Sequence, residues 1–155
     1  MQAPTAKAKR PRTALRERPV IGWVENVDLP EWRVFGLRAK ADTGARSSAL
    51  HVYNLREDGP RHVLFDVVID ADRGNHRHRH DVRARIARRA RVRSSNGQYE
   101  VRVFVKARIR IGEVEREIEL SLADRREMTH RMLLGRTSLK GLLVDASRRY
   151  LLSEE

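Results

Sequence analysis

Asp42-Thr43-Gly44-Ala45 follows an alternating apolar segment, Phe35 to Ala41. A carboxylate held at the end of a strand by a small hydroxyl residue and a glycine is suited to acid–base work on water. Glycine lets one loop approach another closely, and the threonine hydroxyl can hydrogen-bond across to it. Two such carboxylates side by side cannot both ionise, so they share a proton. The charged one then takes a proton from water while the protonated one donates to a scissile carbonyl oxygen. The tripeptide alone is a weak signal, because turns with no catalytic duty use the same residues. Only one copy is present, and Asp145-Ala146-Ser147 lacks the glycine and reads as a turn or cap. Paired-carboxylate chemistry therefore requires two chains, with Asp42 of each facing the other across a twofold axis.

The elements that position this loop are strands. From Val20 onward the apolar residues recur with period two. Val20–Val27 predicts a strand, Asp28-Leu29-Pro30-Glu31 a turn, and Ala49–Leu55 and His62–Ile69 further strands around Glu57-Asp58-Gly59-Pro60. The clearest hairpin comes later. Tyr99, Val101, Val103, Val105, Ala107, Ile109 and Ile111 share one face, and Val114, Ile118, Leu120 and Leu122 resume it after Gly112-Glu113. A two-residue loop led by glycine suits a II′ turn. That turn sets Arg110 opposite Glu115, Arg108 opposite Glu117 and Lys106 opposite Glu119, with Ile111 on Val114 and Ala107 on Ile118. Arg136–Leu142 predicts one short helix ended by Gly141, and Tyr150–Ser153 a closing strand. The expected class is all-β with one small helix.

A second element supports the loop: Met132-Leu133-Leu134-Gly135-Arg136, followed by Leu139. This order resembles the retropepsins, in which two aliphatic residues and Gly-Arg follow the Asp-Thr-Gly loop and precede a short helix. Ala39–His51, Arg93-Ser94-Ser95-Asn96-Gly97, Asp124-Arg125 with Met128, Met132–Arg136, Val144-Asp145 and Tyr150-Leu151-Leu152 together resemble one bacterial and archaeal retropepsin-like group. That group carries the label ATP-dependent zinc protease. Some of its members occur with an ATP-grasp ligase that adds glutamates to a ribosomal small-subunit protein. The resemblance covers about residues 20–152. It implies a closed acid-protease β-barrel with Asp42 as the catalytic group and Thr43 and Gly44 positioning it. Ala45, Leu133, Leu134, Gly135 and Arg136 would back the loop. In the retroviral enzymes that arginine pairs with an aspartate two residues past the catalytic glycine; here Arg46 stands there, so Arg136 needs another partner. The retroviral glycine-rich flap has no obvious counterpart, and the extra length falls around residues 55–93. No Gly-x-x-x-x-Gly-Lys-Ser/Thr loop and no His-Glu-x-x-His helix is present, so neither a cofactor nor a metal is expected.

Charge divides the chain. Of the +12 net charge on 155 residues, residues 1–18 hold +5 and residues 73–93 hold +8, leaving the body near neutral. Residues 1–19, with Pro4, Pro11 and Pro19, read as a flexible basic arm, and 20–155 as one domain. Odd positions from Arg77 to Arg93, among them Arg79, Arg83 and Arg85, coat one face of an extended segment bent near Ala87-Arg88. This face would serve as a lid or anion clamp, since guanidinium forks suit carboxylates and phosphates. His76, His78 and His80 share the opposite face, where a solvated basic strand is the favoured reading over a metal site. Zero cysteines, no long apolar run and no apolar leader core point to a soluble cytoplasmic protein without a membrane span. The expected function is a homodimeric aspartic peptidase acting on a protein or peptide, an acidic one included. The alternative is a silent module of the same fold whose arginine face holds RNA, a ribosome or an acidic protein. Sparse aromatics weaken the single-strand nucleic-acid option, while weak backbone attraction of polyanions stays open.

Overall fold

The computed structural model describes residues 18–70, 77–93, 97–124 and 129–155. Most of the basic arm, His76, Arg93-Ser94-Ser95-Asn96-Gly97 apart from its end residues, and Arg125 with Met128 lie outside the described residues. Among the described residues eleven strands run in order: β1 Val20–Gly22, β2 Val24–Leu29, β3 Val34–Ala41, β4 Ser48–His51, β5 Tyr53–Glu57, β6 His62–Asp70, β7 Arg77–Arg93, β8 Tyr99–Ile111, β9 Val114–Ala123, β10 Met132–Leu134 and β11 Leu143–Asp145. A 3-10 turn at Pro30–Trp32 joins β2 to β3. The expected all-β class holds.

Six strands close a barrel in the order β2-β3-β10-β4-β9-β8, sealed where Asp28 of β2 pairs with Arg110 of β8. Closure removes the exposed edges that an open sheet presents. Val27, Leu37, Leu50, Ile109, Leu120 and Leu134 are nearly or fully buried inside it. The sheet then continues outward from β8 through β7 and β6 to β5. A separate two-stranded parallel sheet joins β1 to β11, with Val20 opposite Leu143.

The β8–β9 hairpin has the register the sequence predicts, including Arg110 opposite Glu115 and Ala107 opposite Ile118. Its ion pairs are diagonal instead of direct: Arg108 Nε meets Glu115 at 2.7 Å and Lys106 Nζ meets Glu117 at 3.9 Å. Strand twist leans long side chains toward the diagonal neighbour. Gly112, at φ +55°, is required twice over, because a Cβ there would lie 2.2 Å from the Leu152 carbonyl oxygen. The alternation places Tyr99 and Val101 on the apolar face, but they are 60% and 65% exposed. They lie beyond the end of β9, where β8 pairs with β7 alone.

Phase breaks mark the other departures. Gly36 at φ +73° bulges β3, so Val34 and Leu37 point inward and Phe35 points out. Val20–Val27 divides at Trp23, whose N–H donates to the Arg148 carbonyl at 2.9 Å. The arginine-rich segment is one 17-residue strand with a register shift between Ile86 and Arg88, where the bend was expected. Asp81, at φ +54°, lies at a second shift, leaving His78 and His80 exposed while Val82 and Ala84 are buried.

The expected helix Arg136–Leu142 is corrected to a run of turns. Leu139 N–H reaches the Gly135 carbonyl at 3.1 Å, then Leu142 N–H reaches only back to Leu139 at 2.9 Å. Seven residues barely pass the helix nucleus. The Arg116 guanidinium from β9 also takes the Ser138 and Lys140 carbonyls, at 3.0 and 2.7 Å. The closing strand Tyr150–Ser153 is likewise absent, because the N–H groups of Leu151, Leu152 and Ser153 go to the Glu25 carboxylate and only Tyr150 N–H reaches a strand carbonyl, that of Val24 at 2.9 Å.

Candidate active site

The 42–47 loop leaves β3 and enters β4, and both strands hydrogen-bond to the short β10 between them. Leu134 pairs in parallel with Ala41, and Leu133 antiparallel with Ala49. The aliphatic pair therefore forms the backing strand of the loop. Asp42 N–H donates to the Leu134 carbonyl at 2.8 Å, pinning the carboxylate-bearing residue to that strand. Its Oδ1 accepts the Gly44 N–H at 3.0 Å, and Ala45 N–H turns back to the Asp42 carbonyl at 3.3 Å. Asp42 is half-buried, while Thr43 and Gly44 are exposed.

Gly135 and Arg136 fix the far side. A Cβ on Gly135 would sit 2.5 Å from the Ser47 carbonyl carbon and oxygen, so only glycine lets β10 lie this close to the loop. Arg136 N–H donates to the Ala45 carbonyl at 2.8 Å, and its Nη1 donates to the Thr43 carbonyl at 3.1 Å. The missing aspartate partner is replaced by the loop's own backbone. Thr137 binds the Arg46 carbonyl through both its N–H and its hydroxyl, each at 3.1 Å. Beneath them the buried Ser48 and Ser138 hydroxyls meet at 2.5 Å, and Gly135 N–H donates to Ser48 Oγ at 3.0 Å. Sequence reasoning missed this serine pair, since two buried serines far apart in the chain carry no local pattern.

Arg46 and Ser47 open onto a cleft of about 650 Å³, whose other wall is the outer half of β7 with Arg88 and Arg91. Arg88 stacks 3.8 Å over the Phe104 ring and pairs with Glu119 at 2.6 Å; Arg91 lies 4.9 Å over Tyr99. The four arginines singled out from sequence stand on the half of β7 paired with β6 and do not line this cleft. Arg79 donates to the Trp32 carbonyl at 3.1 Å and Arg83 pairs with Asp58 at 2.6 Å. Arg77 lies beside Gly36, and Arg85 is exposed opposite His62.

The family model for the retropepsin-like aspartic endopeptidase RimB, described as RimB-like, matches residues 20–155. The chain belongs to the RimB-like family. The closed six-strand barrel agrees with RimB-like membership. A protein of Shewanella pealeana named probable alpha-L-glutamate ligase is 31% identical over 140 residues, covering 88% of this chain and 30% of that protein. One of the same name from Parasynechococcus marenigrum is 32% identical, covering 81% of this chain and 28% of its own length. The chain thus spans less than a third of the curated relatives it matches. The crystal structure of Lpg0085 from Legionella pneumophila, a protein of unknown function, superposes with a TM-score of 0.65 at 24% identity, covering 86% of this chain and 98% of that one. That likeness bears on the fold alone.

Two buried carboxylates away from the Asp42 loop also escaped sequence reasoning. Burial alone would push Glu25 up, but the Ser153 hydroxyl and the N–H groups of Gly22, Leu152 and Ser153 hold it below the usual carboxylate range. Asp66 is similarly raised by burial and then lowered further by the Asp81 N–H, the Asn54 amide and His80. Asp145 is the turn residue expected: the Ser147 hydroxyl and N–H, with Arg148, hold it far below the ordinary value. Among the described residues, no helix is long and apolar enough to cross a membrane.

Proposed function

We propose that the protein is an aspartic-type endopeptidase that works as a homodimer, one Asp42 from each chain. The observation that carries this reading is the single Asp42 loop held half-exposed against β10 by Leu134, Gly135 and Arg136. One carboxylate of the pair takes a proton from water, and the resulting hydroxide adds to the peptide carbonyl carbon. The other carboxylic acid gives its proton to the carbonyl oxygen. Collapse of the tetrahedral diol passes a proton to the amine nitrogen and breaks the C–N bond. The β7–β8 hairpin supplies the flap in this reading: it runs past the end of β9, carries exposed Tyr99 and Val101, and walls the cleft beside the loop.

Arg46, Arg88 and Arg91 suit an acidic polypeptide substrate. In the Shewanella and Parasynechococcus proteins a region like this chain forms part of a probable alpha-L-glutamate ligase, which favours a polypeptide bearing glutamates. The absence of cysteine fits work in the cytoplasm. The ligase name also supports the second reading, a silent domain that holds a partner. Arg77, Arg79, Arg83 and Arg85 would then bind a polyanion weakly, since Arg79 and Arg83 are already engaged within the chain.

Asp42→Asn separates the two. The expected result is loss of peptide cleavage with unchanged folding and unchanged binding to an acidic peptide. Full cleavage by that variant would overturn the peptidase reading.

A further inference from the structure

We propose that a second cavity, on the outlying sheet of β5, β6 and β7, binds a small aromatic carboxylate. The cavity is about 330 Å³, mainly apolar, and lies at the low end of the range for small-molecule sites. Its walls are flat. The His78 and His80 rings stack in parallel, 5.4 Å apart with an interplanar angle of 2°. Tyr53 is braced edge-on against the buried His51 ring at 4.2 Å, and Val68 is an aliphatic part of the lining. Planar side chains lining a cavity offer faces on which a planar ring can stack.

Charge selects the substituent. Asp66 and Arg131 both line the cavity. Asp66 is 7% exposed, and its carboxylate already accepts the Asp81 N–H at 2.9 Å and the Asn54 amide at 2.8 Å, with His80 Nδ1 at 3.2 Å. These three donors occupy the Asp66 oxygens, and the Arg131 guanidinium is the permanently charged cation lining the cavity. A carboxylate is its natural partner.

The site also touches the cleft near Asp42 through a single element. His78 and His80 stand on the inner half of β7, and Arg88 and Arg91 on its outer half, with the Ile86–Arg88 register shift between them. A ligand in the cavity would therefore be felt at the cleft wall along this strand. What this would regulate rests on the peptidase reading; the binding does not.

Titration of the full 15N-labelled chain with phenylacetate, followed by NMR, tests this. Saturable shifts are expected at Tyr53, His78 and His80, and with the same saturation at the Arg88–Val92 amides. Phenylacetamide (the same ring without charge) and the Arg131→Gln variant should each weaken binding roughly tenfold. Asp42→Asn should bind phenylacetate unchanged, which keeps this test apart from the peptidase question. A tripeptide ending in phenylalanine distinguishes a polypeptide C-terminus from a free acid, by binding more or less tightly than phenylacetate. Absence of saturable shifts, or equal binding by Arg131→Gln, would overturn the site; shifts confined to the cavity would overturn its coupling to the cleft.

Discussion

Gly135 shows how far one residue can decide the geometry of the Asp42 loop. The Ser47 carbonyl lies where a Cβ would be, and it is backbone, so it cannot swing aside. Gly135→Ala should therefore force β10 off the loop and destabilise the chain by about 2–4 kcal/mol, read as a fall in the denaturant midpoint. Glu25 makes a different demand. Nearly inaccessible at 1% exposure, it accepts N–H groups from Gly22, Leu151, Leu152 and Ser153 and the Ser153 hydroxyl. Its carboxyl titrates lower folded than unfolded, so its contribution is fully present above pH 4.5, the ordinary value, and fades as pH falls through the lowered folded value. Glu25→Gln should cost about 2 kcal/mol at pH 7. It should also flatten the acid limb of a stability-versus-pH curve; an unchanged limb would show that other carboxylates set it.

At the scale of elements, β7 is the unusual one. Its inner half pairs with β6 of the outlying sheet and its outer half with β8 of the barrel, so it spans two surfaces that an ordinary strand of about six residues could not join. Beyond β9 its pairing with β8 leaves Tyr99 and Val101 in water. Exposed side chains of this kind contribute little to folding, so Tyr99→Ser with Val101→Ser should leave the melting temperature nearly unchanged. If the hairpin covers substrate, the same double variant raises KM for a peptide substrate severalfold. Unaltered kinetics would remove the flap role from this hairpin.

The whole molecule carries two expectations. A carboxylate pair needs two chains, so sedimentation at working concentration should show twice the mass of one chain; a strict monomer would leave Asp42 without its partner. The charge of +12 and the arginines around the cleft predict that KM for an acidic peptide rises steeply with ionic strength, as screening shortens the reach of the field. A flat response would mean that local contacts, and not the field, select the substrate.

Strand periodicity, the hairpin register and the Asp42–Gly44 and Leu133–Arg136 motifs were all legible in the chain, because alternation and turn chemistry act between neighbours. The bend near Ala87-Arg88 was legible for the same reason, since it breaks an otherwise regular alternation. What stayed hidden were groups satisfied by partners far along the sequence. Glu25 turns the last segment away from a strand, Arg116 draws off the carbonyls that a helix at Arg136–Leu142 would have used, and Arg136 finds the Thr43 carbonyl. Hydrogen-bond competition of this kind is decided only when the barrel closes and brings distant donors and acceptors within hydrogen-bonding reach, a proximity no local pattern encodes.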